Sequence, residues 1–336
     1  MTAVTSPFFR FIHPSPRPRL NATDTPTSLD PSTQPNAFSL NEWTSRQLAS
    51  VEDALSRWVA SPTELPAPAG LGLAMRYAVL DGGKRLRPLL VLAACEAVSG
   101  NANAALRSAC AVELIHAYSL VHDDMPCMDN DILRRGKPTV HVKFGEAQAL
   151  LAGDALQALA FEFLTPEDGS VDTATQARLC RMLAQAAGFH GMAGGQAIDL
   201  ASVGLQLDSK QLHEMHRLKT GALLQASVMM GAACGPELPA AQIALRDYGA
   251  AIGLAFQVVD DILDVTSDAA TLGKTVGKDA AQDKPTFVSL MGLDASRDYA
   301  DSLLAHALAS LSASGLPESR TQALHALADM LVNRAH

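Results

Sequence analysis

The sequence predicts an all-α fold, a single large helical bundle over residues 41–336 preceded by a disordered tail over residues 1–40. Three observations predict it. Apolar residues recur three and four positions apart through stretches such as AALRSACAVELIHAYSLVH and EAQALLAGDALQALAFEFL, which is the period of a helix. Runs of β-branched residues are too short to suggest a strand. Segments such as 249–259 are apolar on nearly every face, as helices inside a bundle are.

Taken in order, the tail SPFFRFIHPSPRPRLNATDTPTSLDPSTQPN is rich in Pro, Ser and Thr and too poor in aliphatic residues to join a core. Arg10, Arg17 and Arg19, with no acid before Asp24, give it something of the composition of an organellar transit peptide. Pro7, Pro14, Pro16 and Pro18 would break the amphipathic helix such a peptide needs, so a plain disordered tail is the better reading. Beyond it, turn signals at 62–72, 99–103, 166–170, 235–239 and 315–317 divide the chain into roughly ten helices, with no internal repeat. No membrane span is expected, because the longest charge-free apolar stretch, 220–236, is interrupted by Gln225, Ser227 and three glycines.

Of the 336 residues, 48% are hydrophobic and 18% charged, ample material for one large core. A net charge of −9 argues against a nucleic-acid binder, so an anionic ligand must be held by a local basic cluster or through metal ions. The five cysteines are scattered and form no CxxC pair, as in a cytoplasmic protein with reduced thiols.

The chemistry concentrates in a few stretches. LVHDDMPCMDNDILRRGKPTVH crowds Asp123, Asp124, Asp129 and Asp131 together, and carboxylates so dense raise one another's pKa unless something cationic joins them. In an unbroken helix Asp129 would face about 240° away from Asp123. Pro126 cannot continue the helix, so the segment should bulge and bring Asp129 back. A second cluster, FQVVDDILDVTSD, sets Asp260, Asp261 and Asp264 within an arc of about 100° on one helix. Hard divalent cations such as magnesium take oxygen ligands of this kind, often shared with substrate phosphates. An EF-hand fails for lack of its ligand spacing and central glycine, and a histidine–aspartate phosphohydrolase would leave the second cluster unexplained.

Basic residues supply the complement. DGGKRLRP places Lys84, Arg85 and Arg87 after a Gly-Gly turn, Arg134 and Arg135 follow the first aspartates, and Lys219, Lys274, Lys278 and Lys284 come later. Arginine forks and lysine point charges are the usual partners of phosphate oxygens. With the two aspartate clusters, they suggest two diphosphates, one held through metal ions and one by cations.

These motifs resemble those of the short-chain trans-prenyl diphosphate synthases, most closely the bacterial farnesyl-forming ones, over about residues 71–293. The first motif, D-D-x-x-x-x-D, carries the two-residue insertion typical of those enzymes and of their geranylgeranyl-forming relatives. The resemblance implies the helical bundle of the isoprenoid synthases, a homodimer, and condensation of isopentenyl diphosphate with dimethylallyl or geranyl diphosphate. It implies that Lys84, Arg87, His116 and Arg135 bind isopentenyl diphosphate. Asp123 and Asp129, with Asp260 opposite, would hold Mg2+ against the allylic diphosphate, and Asp124, Asp261 and Asp264 complete the expected metal set. Arg134, Lys219 and Lys274 would neutralise the leaving group, with Lys284 near it, while Thr220 and Gln257 would place oxygens by the allylic cation.

The resemblance also makes Tyr118 the floor that limits chain length, roughly 7–8 Å along the helix from Asp123, although a helical wheel favours Ser119 beneath it. Blander roles compete. His116 could be a packed core histidine, Asp131 and Asp268 solvated, Met229 and Met230 core fillers, and Cys127 is too soft for a hard cation. A terpene cyclase would replace the second aspartate cluster with an Asn/Asp-Ser-Glu motif, and a non-catalytic subunit would lose the aspartates. A scaffolding protein would have no reason to assemble them.

Overall fold

The computed structural model describes residues 38–60, 68–80, 82–205, 207–266 and 285–333. Residues 1–37 of the predicted tail, Lys274, Lys278, Lys284 and Asp268 lie outside them.

Ser39 opens the first helix, α1 (Leu40–Trp58), by accepting the Glu42 amide on its side chain. Helices α2 (Leu71–Val79), α3 (Leu86–Ala97) and α4 (Ala102–Asp123) follow. After a hairpin come α5 (Val140–Phe144), α6 (Glu146–Leu164), α7 (Thr173–Ala187), α8 (Met192–Ala201) and α9 (Ser209–His216). A π-helical turn, Arg217–Gly221, leads into α10 (Ala222–Ala233) and the long α11 (Pro239–Thr266). The chain closes with α12 (Phe287–Met291), α13 (Leu293–Ser312) and α14 (Glu318–Val332). Several helix starts carry side-chain caps: Asn101, Asp172 and Asp208 each accept first-turn amides, and Asp208 forms a capping box with Gln211.

One feature was not expected. Leu133–Arg134 and Lys137–Pro138 pair as a two-residue antiparallel ribbon. Its loop residues Arg135 and Gly136 have φ of 54° and 75°, the signature of a type I′ turn. Two residues per strand are too few for any alternation to register in sequence.

The buried side chains form one continuous core running through α3, α4, α6, α10 and α11. Helix α4 packs against α3 and α6, and α11 against α10 and α13. By length and composition α4 could cross a membrane, but most of it is buried inside the bundle. Its apolar character is that of a central core helix, and it carries the first aspartates at its C-terminal end. The segment 249–259, apolar on nearly every face, is buried at Gly249, Ala251, Ile252, Gly253, Leu254, Ala255, Val258 and Val259. All five cysteines are free thiols.

Candidate active site

Helix α4 stops at Asp123 and the chain folds back on itself. The Asp129 amide donates to the Asp123 carbonyl at 2.9 Å and the Asp131 amide to the Asp124 carbonyl at 3.1 Å. Asp129 is thereby returned to the vicinity of Asp123, as the proline requires. Burial pushes the Asp123 carboxyl up to about 6, Lys219 and Arg134 oppose the rise, and Asp129 and Asp124 add to it. An acid held this high beside a second acid is a place for a cation.

Asp124 behaves differently from the expected metal ligand. It is 2% exposed, and both its oxygens accept from Arg134, at 2.9 Å from Nε to each and 2.5 Å from Nη2 to Oδ1. The pair fixes the hairpin to the end of α4, so Asp124 serves the loop and Arg134 is partly engaged before any substrate arrives. Adjacent aspartates on a helix point about 100° apart, so Asp123 and Asp124 meet different surroundings.

The second cluster divides in the same way. Asp260 is exposed, Asp264 half-buried and Asp261 buried at 2%. Asp261 accepts Gln257 Nε2 at 2.8 Å and the Phe287 amide at 2.8 Å. It ties the first turn of α12 to α11, so both of its oxygens are already engaged. Gln257 in turn presents Oε1 to the Thr220 hydroxyl, which donates at 2.9 Å. Every donor in this chain is turned toward Asp261, so the Thr220 oxygen keeps its capacity to accept.

Lys219 lies in the π turn and donates to Asp199 at 2.5 Å, while also being the cation that most lowers the Asp123 pKa. It therefore stands between the two carboxylates. The approach of α8 to this turn depends on Gly195, where a Cβ would come within 2.1 Å of the Lys219 amide nitrogen. Asp199 was not singled out from sequence; a lone acid in the small, apolar run GGQAIDL was the available signal.

On the other side, Gly82 and Gly83 turn the chain with φ of 85° and 129°. Arg135 donates to the Gly82 carbonyl, and a Cβ on Gly83 would lie 2.8 Å from the Arg135 guanidinium. Burial lowers the pKa of Arg87 and Arg135, with Glu113 opposing in both and Asp260 in Arg87. Arg87 Nε is buried with no hydrogen-bond partner. His116 is driven well below its usual pKa by burial and then by Arg87, Arg135, Arg134 and Arg85, so it is a neutral imidazole. Four arginines around a neutral histidine leave positive charge only partly compensated, which is a site for a polyanion. Lys84 is exposed at its rim. Glu113 and Glu52, which hold Arg85, were also missed, since nothing in sequence distinguishes a buried glutamate from a surface one.

Tyr118 is half-buried, its ring edge-on to His122 at 5.7 Å, and burial and Asp123 raise its pKa. The Ser119 hydroxyl is spent within α4, donating to the His116 carbonyl at 2.9 Å. Among the described residues no three acidic, histidine or cysteine side chains close into a metal cage. Magnesium is usually held by one or two carboxylates with waters and substrate phosphates, and the carboxylates of Asp123, Asp129 and the exposed Asp260 are donors of the kind that suit a metal brought in with a diphosphate.

Comparison with known proteins bears on this arrangement. Residues 69–318 match the family described as Polyprenyl synthetase. A probable farnesyl diphosphate synthase of Sinorhizobium fredii is 51% identical over 273 residues, covering 79% of this chain and 80% of that protein. Geranylgeranyl pyrophosphate synthase 7 of Arabidopsis thaliana is 44% identical over 321 residues, 95% of this chain and 90% of that one. The crystal structure of a Helicobacter pylori geranyltransferase, complexed with magnesium and isoprenyl diphosphate, superposes with a TM-score of 0.79 at 34% identity, covering 89% of this chain and 100% of that one. The chain belongs to the polyprenyl synthetase family of prenyltransferases and is a trans-prenyl diphosphate synthase.

Proposed function

We propose that the protein is a magnesium-dependent (2E,6E)-farnesyl diphosphate synthase, joining isopentenyl diphosphate head-to-tail to dimethylallyl and then geranyl diphosphate. The observation that carries this reading is the meeting of two unlike anion sites. One is built of carboxylates with Lys219, the other of Arg87, Arg135, His116 and Lys84.

In this reading the allylic diphosphate lies at the carboxylates. Asp123, Asp129 and Asp260 would hold Mg2+, which supplies charge to neutralise the departing diphosphate. Lys219, oriented by Asp199, meets the same developing charge, with Arg134 beside it, and preorganised cations of this kind lower the barrier most where charge accumulates. Asp264 stays at the margin, and Asp124 and Asp261 hold the frame. Thr220 and Gln257 turn oxygen lone pairs to the allylic carbon as it becomes cationic. The apolar walls of α4, α10 and α11 keep water from capturing it. Isopentenyl diphosphate, fixed at the basic site, attacks through its double bond and loses a proton, for which the released diphosphate is the nearest base. Lys274 and Lys284, outside the described residues, are proposed from the family resemblance alone to join the leaving-group side.

Tyr118 is the proposed floor, which favours a fifteen-carbon product. A twenty-carbon product is the second reading, and the 44% identity to a geranylgeranyl pyrophosphate synthase over nearly the whole chain favours it. We also propose a cytoplasmic homodimer, from the resemblance and the free thiols. Purified protein given radiolabelled isopentenyl diphosphate, dimethylallyl diphosphate and magnesium tests all of this chemistry. Chromatography of the dephosphorylated products should show farnesol. Geranylgeraniol as the main product would favour the second reading, and no prenyl alcohol at all would overturn both.

A further inference from the structure

We infer that Arg85 is a positioning residue. Its buried guanidinium, clamped between Glu113 and Glu52, sets the 82–87 turn so that Lys84 and Arg87 face the diphosphate of isopentenyl diphosphate. The inference rests on the proposed reading of that basic site.

By composition Arg85 is one more cation in DGGKRLRP, equivalent to its neighbours. Its geometry separates it from them. Its side chain is 2% exposed, and so is not available to a ligand in the site. Nε donates to Glu52 Oε1 at 2.7 Å, Nη1 to Glu113 Oε1 at 2.7 Å, and Nη2 to the Val79 carbonyl at 2.6 Å and Glu52 Oε2 at 3.3 Å. One planar fork thus joins α1, α2 and α4 to the residue that begins α3. Only a guanidinium has donors in enough directions to reach all three partners.

The backbone shows what the clamp holds. Arg85 has φ of 45° and ψ of 35°, a left-handed conformation that costs a non-glycine residue and persists only where the surroundings impose it. With Gly82 and Gly83 it makes three positive-φ residues in four, and Lys84 lies inside that turn. Two residues after Arg85, Arg87 occupies the first turn of α3. If Arg85 relaxed to an ordinary conformation, Lys84 and Arg87 would change direction together. Glu113 lies one helical turn before His116 on α4, so the clamp also references the turn to the imidazole opposite. In addition, Glu113 tempers the charge of Arg87 and Arg135.

The test is a steady-state comparison in the full-length protein, with each substrate varied while the other saturates. Arg85→Lys keeps the charge and loses the fork. It should raise KM for isopentenyl diphosphate on the order of 10-fold, the scale on which residues that orient ligating groups act, and leave KM for the allylic substrate within about twofold. Glu52→Gln, at the half-exposed end of the clamp, is the milder variant should Arg85→Lys not fold. It should raise the same KM about two- to threefold. If both KM values rise together, or neither moves while stability falls, Arg85 is a general structural residue and the inference is overturned. Lys84→Ala separates the two levels. If it raises KM for isopentenyl diphosphate while Arg85→Lys and Glu52→Gln do not, the clamp alone is wrong. If it has no effect, the reading of the basic site falls, and the clamp with it.

Discussion

Replacing Asp123 by asparagine should abolish turnover and, in the metal-free protein, increase stability. Burial and the neighbouring acids hold the Asp123 carboxyl at about 6, against an unperturbed value of 3.8. An acid whose folded pKa is raised binds its proton more tightly when folded. Its destabilising effect is therefore absent at pH well below 3.8, grows through the window from about 4 to 6, and is complete above it. The difference between these two values corresponds to a ceiling of about 3 kcal/mol at pH 7.5. By pH 4.5 linkage leaves about 1 kcal/mol of it. The asparagine does not titrate, so in EDTA at pH 7.5 Asp123→Asn should unfold several degrees above the wild type, at roughly 2 °C per kcal/mol for a chain of this size. The gap should shrink by about two-thirds at pH 4.5. Magnesium with an unreactive diphosphate should narrow it at pH 7.5 by stabilising the wild type alone. Scanning calorimetry at the two pH values reads all three numbers. A gap that is equal at both pH values, or of opposite sign at pH 7.5, would refute the reasoning.

Other outcomes follow from the same geometry. Excess chelator should stop product formation, and magnesium should restore it in a radiolabelled condensation assay. Asp260→Ala should lower kcat by at least 100-fold with little change in melting temperature. Asp261→Ala should instead cost about 1–3 kcal/mol of stability, because the Phe287 amide and Gln257 lose their buried acceptor; equal stability of the two variants by calorimetry would contradict the division of the second cluster. Tyr118→Ala should shift products toward twenty carbons, and a variant that still stops at fifteen with normal activity would show that Tyr118 is not the floor. Deleting residues 1–37 should leave kcat and KM within about twofold, since that composition cannot contribute to a core.

Much of this was legible because helices write themselves at a fixed period. The 3.6-residue repeat, the turn at 99–103 where Asn101 caps α4, and the nearly all-apolar segment 249–259 each follow from local chemistry. Pro126 likewise announced that Asp129 would return to Asp123. What was not legible depends on partners distant in sequence. That Asp124 and Asp261 are buried on hydrogen-bond partners while Asp260 stays exposed is decided by Arg134 and by the amide of Phe287. Glu113 reads as any glutamate until Arg85, 28 residues earlier, is found against it. The hairpin at 133–138 is set by two positive-φ residues, a conformation an Arg-Gly pair permits without demanding.

The π turn at Arg217–Gly221 amounts to a helix with one residue more than its pitch accommodates. Helices α9 and α10 on either side of it are consequently out of phase. Lys219 reaches back to Asp199 on α8, whereas Thr220, the next residue, reaches across to Gln257 on α11. Removing a single residue between 217 and 221 would let the segment relax to a regular helix, rotating α9 by about 100° relative to α10. One of the two bonds would then have to be given up, whatever side chains remained. This stretch should therefore tolerate substitution at its one exposed position, Arg217, and almost no change in length. Among divergent members of the family, alignment gaps should avoid these five positions even where their identities differ.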